Sequence, residues 1–373
     1  MRKYTEIMSI MQEHALDGIV FSNPYNIRYL TGFSGEGCFY VDKKTQIIIT
    51  DSRYTIAAKK AAKNLEDFLL QKGMDIGQGI EVQETSAKVD ANHLLASCME
   101  KVQAVRIGFE DEDILYADFM KMQNTVSESL AAEFVPLGAA ISWLRAVKTD
   151  EEIALLSQAE HIGDIAFTHI LNVIKPGVTE LEIAAQLAYV MQKNGAEGLS
   201  FETIVASGIH SSMPHALVTD KKIEKGDFVT MDFGCRYQGY CSDMTRTIVV
   251  GKASKEQKKI YDTVLEAQLA ALEYIRAGRQ GKEVDAIARD IIKKAGYGDC
   301  FGHGLGHSVG LFIHEEPRLS VREERILQEN MIETVEPGIY VEGFGGVRIE
   351  DMVVVTKEGH KNLAHSVKEL VEL

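Results

Sequence analysis

A run of apolar and β-branched residues near the middle of the chain, residues 227–250, constrains its fold more than any other segment. Its sequence, DFVTMDFGCRYQGYCSDMTRTIVV, is typical of a β-hairpin. With the turn at residues 236–239, Asp232 and Asp243 are directly opposed and project from one face, with Cβ atoms about 4.5–5.5 Å apart. Two carboxylates this close repel one another, and a bound cation would relieve that repulsion. The alternative is that both lie at a solvated sheet edge.

A second hairpin is predicted at residues 331–356, and it repeats this feature. Within it Glu336 and Glu350 oppose one another about Gly343, in a glycine-rich bend. A pair of predicted helices precedes each hairpin, so the order of elements repeats within residues 151–250 and 254–356 without a plain sequence repeat. Patterns typical of helix starts, T-x-x-E at Thr179 and S-x-x-Q at Ser254, support those helices. Two related halves facing each other would bring all four carboxylates to one central site.

The segment between the hairpins, GHGLGHSVGLFIHEEPR at residues 302–318, contains three of the chain's 11 histidines, His303, His307 and His314. Its glycines exclude a stable helix, so His303 and His307 are not the HExxH pair of a zinc helix. Four carboxylates with one imidazole are a hard donor set, which favours two divalent cations such as manganese or cobalt over a structural zinc. Two such ions can share a bridging water and lower its pKa, which yields hydroxide at neutral pH.

Composition restricts the partners and the compartment. The chain has 40 basic and 55 acidic residues and a net charge of −15, which argues against nucleic acid or an anionic membrane surface as its main partner. The first residues lack the apolar core of a secretory signal, and no apolar run approaches the roughly 18 residues of a membrane span. Five scattered cysteines without a CxxC pattern favour reduced thiols, so we expect a cytoplasmic protein.

The 373 residues suffice for two domains, and the segment Pro136-Leu137-Gly138 indicates a boundary region. We predict an N-terminal α/β domain over residues 1–133 and a catalytic domain over residues 134–373. Near the start of the first domain, residues 22–26, SNPYN, are typical of a turn. This domain contains no nucleotide-binding fingerprint in the required strand–loop–helix context.

These motifs together resemble the pita-bread metallopeptidase family, which includes methionine aminopeptidase, aminopeptidase P and prolidase. The motifs MDFG, SDMTRT, HGLGH, TVEPGIY and VRIED carry the resemblance over residues 201–351. Residues 26–33, NIRYLTGF, are similar to the creatinase-type N-terminal domain of the proline-directed members. The resemblance implies an α/β (α+β) fold in which a creatinase-type α/β domain precedes a pita-bread domain. In that second domain, helices related by a pseudo-twofold axis surround a curved antiparallel sheet.

The resemblance also implies which residues bind metal and catalyse. The family's five metal ligands correspond to Asp232, Asp243, His307, Glu336 and Glu350. Glu336 would also be the general base and proton shuttle. His215 corresponds to the histidine that contacts the scissile carbonyl, and His314 corresponds to the second active-site histidine.

Three further residues are implied to bind or position the substrate: His303, Arg318 and Arg348. His303 lies near the substrate in the family, and Arg348 corresponds to an arginine that orients ligand carboxylates. Arg318, in the segment HEEPR, would take the free carboxylate of a dipeptide. A salt bridge at the rim of the site is the alternative for Arg318.

The implied activity is hydrolysis of the Xaa-Pro bond at the N-terminus of dipeptides or short peptides by a metal-bridging hydroxide. Manganese is the expected metal, with cobalt or zinc as alternatives, and a homodimer is the expected assembly. The choice between dipeptidase and aminopeptidase stays open, although HEEPR favours the dipeptidase. Two other readings are a metal-free creatinase-like amidinohydrolase and a non-catalytic pita-bread binding module. Such relatives have lost metal ligands, whereas all five are present here.

Overall fold

The computed structural model describes residues 2–71 and 79–373. The chain divides into two compact units, Met1–Leu144 and Arg145–Leu373. The boundary predicted from sequence, between residues 133 and 134, falls at the beginning of the last strand of the first unit. Within the described residues, no helix combines the length and the hydrophobicity that crossing a bilayer requires.

The first unit is a mixed sheet with helices between its strands. Its strands are β1 Gly18–Phe21, β2 Gly37–Asp42, β3 Gln46–Thr50, β4 Ile80–Glu84, β5 Arg106–Phe109 and β6 Glu133–Pro136. Its helices are α1 Arg2–Glu13, α2 Pro24–Thr31, α3 Thr55–Gln71, α4 Ala91–Lys101, α5 Tyr116–Ser127 and α6 Gly138–Ser142. The strand order is β4-β3-β2-β1-β5-β6, with β2 antiparallel to both of its neighbours and the outer pairs parallel.

Helix α2 replaces the turn predicted at residues 22–26. The side chain of Asn23 accepts the backbone N–H groups of Tyr25 and Asn26 at 2.8 and 3.1 Å, so it caps the helix N-terminus. Pro24 is the first helical residue, where its missing N–H is not needed. The same residue types are typical of turns and of helix starts. Here an apolar face follows, and burial of its Ile27 and Leu30 favours the helix.

The second unit contains two successive helix pairs, each followed by strands. Its helices are α7 Asp150–Ile170, α8 Glu180–Lys193, α9 Lys255–Tyr274 and α10 Gly281–Lys294. The strands after the first pair are β7 Gly198–Leu199, β8 Ile204–Ser207, β9 Phe228–Phe233, β10 Cys235–Tyr237, β11 Tyr240–Cys241 and β12 Met244–Val249. Those after the second pair are β13 Gly306–Ser308, β14 Glu315–Leu319, β15 Ile332–Val335, β16 Gly338–Val341, β17 Gly345–Arg348, β18 Asp351–Val355 and β19 His360–Asn362. The order of elements thus repeats as predicted.

The helix starts of this unit follow directly from the sequence. Thr149, Thr179 and Ser254 each cap a helix, and the Glu or Gln three residues later bonds back to the cap backbone. Between these helices and the sheets lies an apolar core, in which Ile162 and Phe167 of α7 and Leu187 of α8 pack with Val229 of β9 and Ile248 of β12. The strands that carry the acidic residues are therefore fixed on one side by a close-packed core.

The first hairpin has a different register from the predicted one. Its turn is Gln238-Gly239, with φ angles of 47° and 84°, and Asp232 pairs with Thr245 rather than with Asp243. Two-residue turns of this kind favour glycine at the second position, which moves the turn one residue along the chain. The prediction of a directly opposed aspartate pair is therefore wrong by two positions. An offset of two keeps both side chains on one face, because strand side chains alternate with period two.

The second hairpin has the predicted register. On either side of its two glutamates the ladders pair Val335 with Asp351 and Gly338 with Arg348. Glu336 and Glu350 lie between these pairs, at opposed positions where the strands separate. The predicted opposition of the two glutamates is confirmed.

Candidate functional site

One cavity of about 910 Å³ in the second unit collects the residues that the sequence singles out. Its walls come from both hairpins, from the glycine-rich segment before β14 and from the segment between β8 and β9. The predicted site residues in its lining are His215, Asp232, Asp243, His303, His307, His314, Arg318, Glu336, Arg348 and Glu350. The fold thus brings together side chains that are up to 135 residues apart, the separation of His215 and Glu350.

The acidic residues converge on one imidazole. Asp243, His307 and Glu350 are buried and offer ligand atoms that all lie within 4.8 Å of one another. The Nε2 atom of His307 lies 3.4 Å from Asp243 Oδ2 and also 3.4 Å from Glu336 Oε1. One oxygen or nitrogen from each of several side chains therefore points at a shared volume, as a cation site requires.

Asp232 completes the acidic set beside an arginine. Its Oδ2 atom accepts a hydrogen bond from Arg348 Nη2 at 2.6 Å, while its Oδ1 atom is buried without a hydrogen-bond partner among the residues that the structure describes. A buried carboxylate oxygen without a donor is costly, and coordination to a cation would satisfy it.

Burial and mutual repulsion change the protonation of this cluster. Burial, followed by the charges of neighbouring carboxylates, raises the pKa of both Asp243 and Glu350 well above the ordinary range. Burial also raises the pKa of Glu336 to about 7, against the opposing effect of Arg348. A divalent cation would compete with protons for these carboxyl oxygens and would offset their mutual repulsion.

His307 has the tautomer of a metal ligand. Its Nδ1 atom lies 3.1 Å from the carbonyl oxygen of Ser308, which can only accept, so Nδ1 carries the proton and Nε2 presents a lone pair to the carboxylates. Burial and then the neighbouring ring of His314, 4.6 Å away between centroids, lower the pKa of His307 to about 3. A neutral imidazole among four carboxylates fits divalent cations well.

Two threonines that the sequence analysis missed hold the glutamates. Thr245 donates its hydroxyl to Glu350 Oε2 at 2.6 Å and accepts from Arg348 Nε at 3.0 Å. Thr334 donates to Glu336 Oε1 at 3.1 Å and accepts the backbone N–H of His307 at 3.0 Å. The correct register of the first hairpin, which places Thr245 opposite Asp232, would have identified the first of them.

His303 is engaged through Tyr340, a further residue that the sequence analysis missed. Its Nδ1 atom lies 2.7 Å from the carbonyl oxygen of Gly304, so Nδ1 donates and Nε2 accepts the Tyr340 hydroxyl at 3.0 Å. The Tyr340 hydroxyl in turn accepts from Arg348 Nη1 at 2.8 Å. Burial and the nearby Arg348 charge lower the pKa of His303 to about 4. His303 is therefore a neutral part of the hydrogen-bonded wall around Arg348.

Gly306 allows the close approach of β13 to β15, and we expect its replacement by alanine to be destabilising. A Cβ atom at this position would lie 2.0 Å from the carbonyl oxygen of Thr334, so β13 would have to move and take His307 with it. We expect Gly306→Ala to lower the free energy of unfolding by about 1–3 kcal/mol, measured by chemical denaturation. Gly302→Ala is the matched control, because a Cβ there would meet no atom of the described residues 2–71 and 79–373 within 4 Å. Equal stability of the two variants would contradict this reading.

Comparison with known proteins agrees with this arrangement. The sequence model of metallopeptidase family M24 matches residues 154–357, and that of the creatinase/prolidase N-terminal domain matches residues 5–147. A sequence relative, the Xaa-Pro dipeptidase of Pyrococcus furiosus, is 38% identical over 369 residues, which are 98% of each chain. These matches confirm the predicted family and the predicted fold class.

Two solved structures extend the likeness over the whole chain. The Xaa-Pro dipeptidase from Bacillus anthracis has a TM-score of 0.91 and 42% identity, covering 100% of this chain and 99% of that one. The X-Pro aminopeptidase from Thermotoga maritima MSB8 has a TM-score of 0.85 and 35% identity, covering 98% and 100%. Both a dipeptidase and an aminopeptidase thus share this architecture.

Proposed function

This chain belongs to metallopeptidase family M24, and from that membership we propose that it hydrolyses the Xaa-Pro bond at the N-terminus of dipeptides or short peptides. The observation that carries the proposal is the convergence of Asp243, His307 and Glu350, with Glu336 beside them, in one cavity. The metal-free amidinohydrolase and the non-catalytic binding module are not favoured, because both would dispense with this donor set.

We assign the divalent cations of the family to the predicted ligands Asp232, Asp243, His307, Glu336 and Glu350. When bound, the cations supply a Lewis acid and an activated water. We propose manganese as the native metal, since the donor set is rich in hard oxygen atoms. Two features support this assignment: the Oδ1 of Asp232, which has no hydrogen-bond partner among the described residues, and the mutual repulsion that raises the pKa of the other carboxyl groups.

Glu336 is the residue that we assign to proton transfer. It lies within the ligand cluster, with its Oε1 atom 3.4 Å from His307 Nε2, and its carboxylate is oriented by Thr334. An oriented carboxylate accepts a proton from the attacking water and returns it to the leaving nitrogen. With proline that nitrogen becomes a secondary amine, which must be protonated before it can leave.

His215 and His314 are assigned to the substrate side of the cavity, where both line the wall. A ring N–H of His215 would donate to the oxygen that becomes negative as the carbonyl is attacked. Burial and then the charge of Arg318 lower the pKa of His314, so its ring is neutral near pH 7. A neutral ring at His314 can donate at one nitrogen and accept at the other, as a peptide substrate requires.

Arg318 is the residue that distinguishes a dipeptide from a longer substrate. Its side chain is 39% exposed at the cavity wall, and its Nε atom has a long, 3.4 Å contact with Glu316. The guanidinium can therefore turn to a free carboxylate on proline. We expect Arg318→Ala to raise the KM for Ala-Pro by about 10- to 100-fold and to change that for Ala-Pro-Gly less than about threefold.

Steady-state kinetics on the two peptides measures this difference, with Arg322→Ala, an exposed arginine four residues away, as the control. If Arg318→Ala raises the KM for both peptides equally, or for neither, Arg318 does not recognise the carboxylate. The rim salt bridge with Glu316 then remains as its role.

The experiment that tests the proposed function is hydrolysis of a panel after chelation and after manganese, cobalt or zinc is added back. The panel contains Ala-Pro, Leu-Pro, Ala-Pro-Gly, Ala-Ala and creatine. Cleavage of the proline peptides that is lost on chelation and restored by metal supports the proposal. Full activity towards creatine without metal, or no cleavage of any peptide, would overturn it.

We also propose a homodimer in the cytoplasm. The five cysteines are free thiols, which suits a reducing compartment. Sedimentation that shows a monomer at micromolar concentration would contradict the dimer.

A further inference from the structure

The segment that carries His215 is tied at both ends to one buried carboxylate. Glu180, the first residue of α8, has no exposed surface. Its Oε1 atom accepts the backbone N–H of Ser207 at 2.7 Å and the Ser207 hydroxyl at 2.9 Å. Its Oε2 atom accepts the hydroxyl of Thr219 at 2.7 Å and the Thr219 N–H at 3.2 Å. The carboxylate thus closes residues 207–219 into a loop.

The same loop has further contacts along its length. His210 Nδ1 lies 3.0 Å from each carboxylate oxygen of Glu180. On the side of β17, the N–H of Gly346 donates to Ser211 Oγ at 2.8 Å, and Arg348 Nη1 donates to the carbonyl oxygen of Pro214 at 3.2 Å. The residue just before His215 is therefore fixed by an arginine of the site, while Glu180 fixes the ends and His210.

Glu180 is held as an anion although it is buried. Burial alone would raise its pKa, but hydrogen bonds from Thr219, His210 and Ser207 lower the pKa below its ordinary value. Its position in the first turn of α8 also favours a negative charge. The cavity is lined by the next residue, Leu181, and not by Glu180, so this anion acts on the site through the loop.

We infer that Glu180 is a positioning residue that sets the place of His215 in the cavity, an inference that rests on the proposed role of His215 at the substrate carbonyl. Without the carboxylate, five donor groups at three points of the loop lose their acceptor. The loop can then shift by a fraction of an ångström while α8 and the core behind it stay packed. A shift of this size at a catalytic group costs rate rather than substrate binding.

A double-mutant cycle tests this inference on the full chain with manganese and Ala-Pro. We expect Glu180→Gln to lower kcat by about 10- to 100-fold with KM changed less than about threefold. His215→Ala is expected to lower kcat by about 10²- to 10³-fold. Because Glu180 acts through His215, adding Glu180→Gln to His215→Ala should change kcat less than about twofold further. A merely structural role would give multiplying losses instead.

Glu182→Gln is the matched control, because Glu182 lies in the same helical turn, is solvent-exposed and bonds to Thr179. Glutamine retains that capping interaction, so we expect activity within about twofold of the parent. Full activity of Glu180→Gln, or the same loss in both backgrounds, overturns the inference. Full activity of His215→Ala refutes instead the role assigned to His215, so the two failures are distinguishable.

A milder variant covers the case in which Glu180→Gln does not fold. Thr219→Val removes one hydroxyl donor to Glu180 and keeps the backbone N–H. We expect it to lower kcat by about three- to tenfold, and to have no further effect when His215 is already alanine. An equal loss with and without His215 would overturn the inference.

Discussion

Replacing Glu336 by glutamine is expected to lower kcat for Ala-Pro by about 10³-fold or more. The amide has nearly the same shape but cannot accept a proton from water, and proton transfer by a positioned carboxylate contributes about 10²- to 10⁴-fold. The variant also lacks one anionic oxygen beside Asp243 and His307, where Glu336 Oε1 lies 3.4 Å from His307 Nε2. Loss of the proton acceptor and loss of the anionic ligand both lower kcat, and both result from removing the negative charge of Glu336.

The measurement is steady-state hydrolysis with the bound metal counted for each preparation. Metal content separates loss of the proton acceptor from loss of a ligand, because a fully loaded but inactive variant isolates the first effect. Glu342→Gln is the control, since Glu342 is exposed at the turn of the same hairpin. Activity of Glu336→Gln within about tenfold of the parent would remove Glu336 from the chemistry.

The second hairpin shows how much of the site the sequence contains. Strand alternation and a glycine-rich bend were sufficient to place Glu336 opposite Glu350, and the observed ladders have this register. A hairpin with a clear turn sequence and one buried face has its register specified locally. The prediction that these two glutamates meet needed no tertiary information.

The first hairpin shows a limit of the same reasoning. Its turn accommodates Gln238 at φ 47° so that Gly239 can occupy the second turn position, and the ladder follows from that choice. Centring the turn one residue earlier gave the correct face for Asp232 and Asp243 but the wrong partner for each. The wrong partner concealed Thr245, whose hydroxyl bonds to Glu350. A register error of two positions therefore still predicts the correct face for the acidic residues, but it predicts the wrong neighbours for them.

Contacts between distant segments were beyond the sequence argument. Glu180 contacts Thr219, 39 residues later, because α8 packs beside β8. The sequence around neither residue predicts this contact. Tyr340 similarly connects His303 to Arg348 through its hydroxyl. The sequence of its strand does not indicate these contacts. Side chains that support a site through tertiary contacts have no periodicity of their own, whereas ligands grouped in motifs do.

Removing the metal is expected to abolish peptide hydrolysis and to make the protein less stable as the pH rises. In the metal-free protein the pKa of Glu336 is raised to about 7, and those of Asp243 and Glu350 are raised well above their ordinary values. The folded state therefore holds protons that the unfolded chain releases near pH 4–5. Stability from these groups is fully present below that pH and is lost as the pH rises through about 7 and beyond.

Bound cations should reverse this trend, because they replace the protons and bind only the folded cluster. At a free metal concentration about 1,000-fold above Kd, they contribute on the order of 4 kcal/mol. The contribution should be smaller at pH 5, where protons compete for the same oxygens, and larger at pH 8. Thermal unfolding in chelator and in manganese at pH 5, 6, 7 and 8 measures both effects, with hydrolysis of Ala-Pro assayed on the same samples.

Glu350→Gln is the matched variant for this experiment, since it removes one titrating group and keeps its shape. In chelator its unfolding midpoint should exceed that of the parent at pH 8, because one buried repulsive charge is gone, and the two proteins should converge near pH 5. In manganese the order should reverse, because the variant lacks one anionic ligand. A metal-free parent whose midpoint rises between pH 5 and 8 relative to Glu350→Gln would show that these carboxyl groups do not share one site.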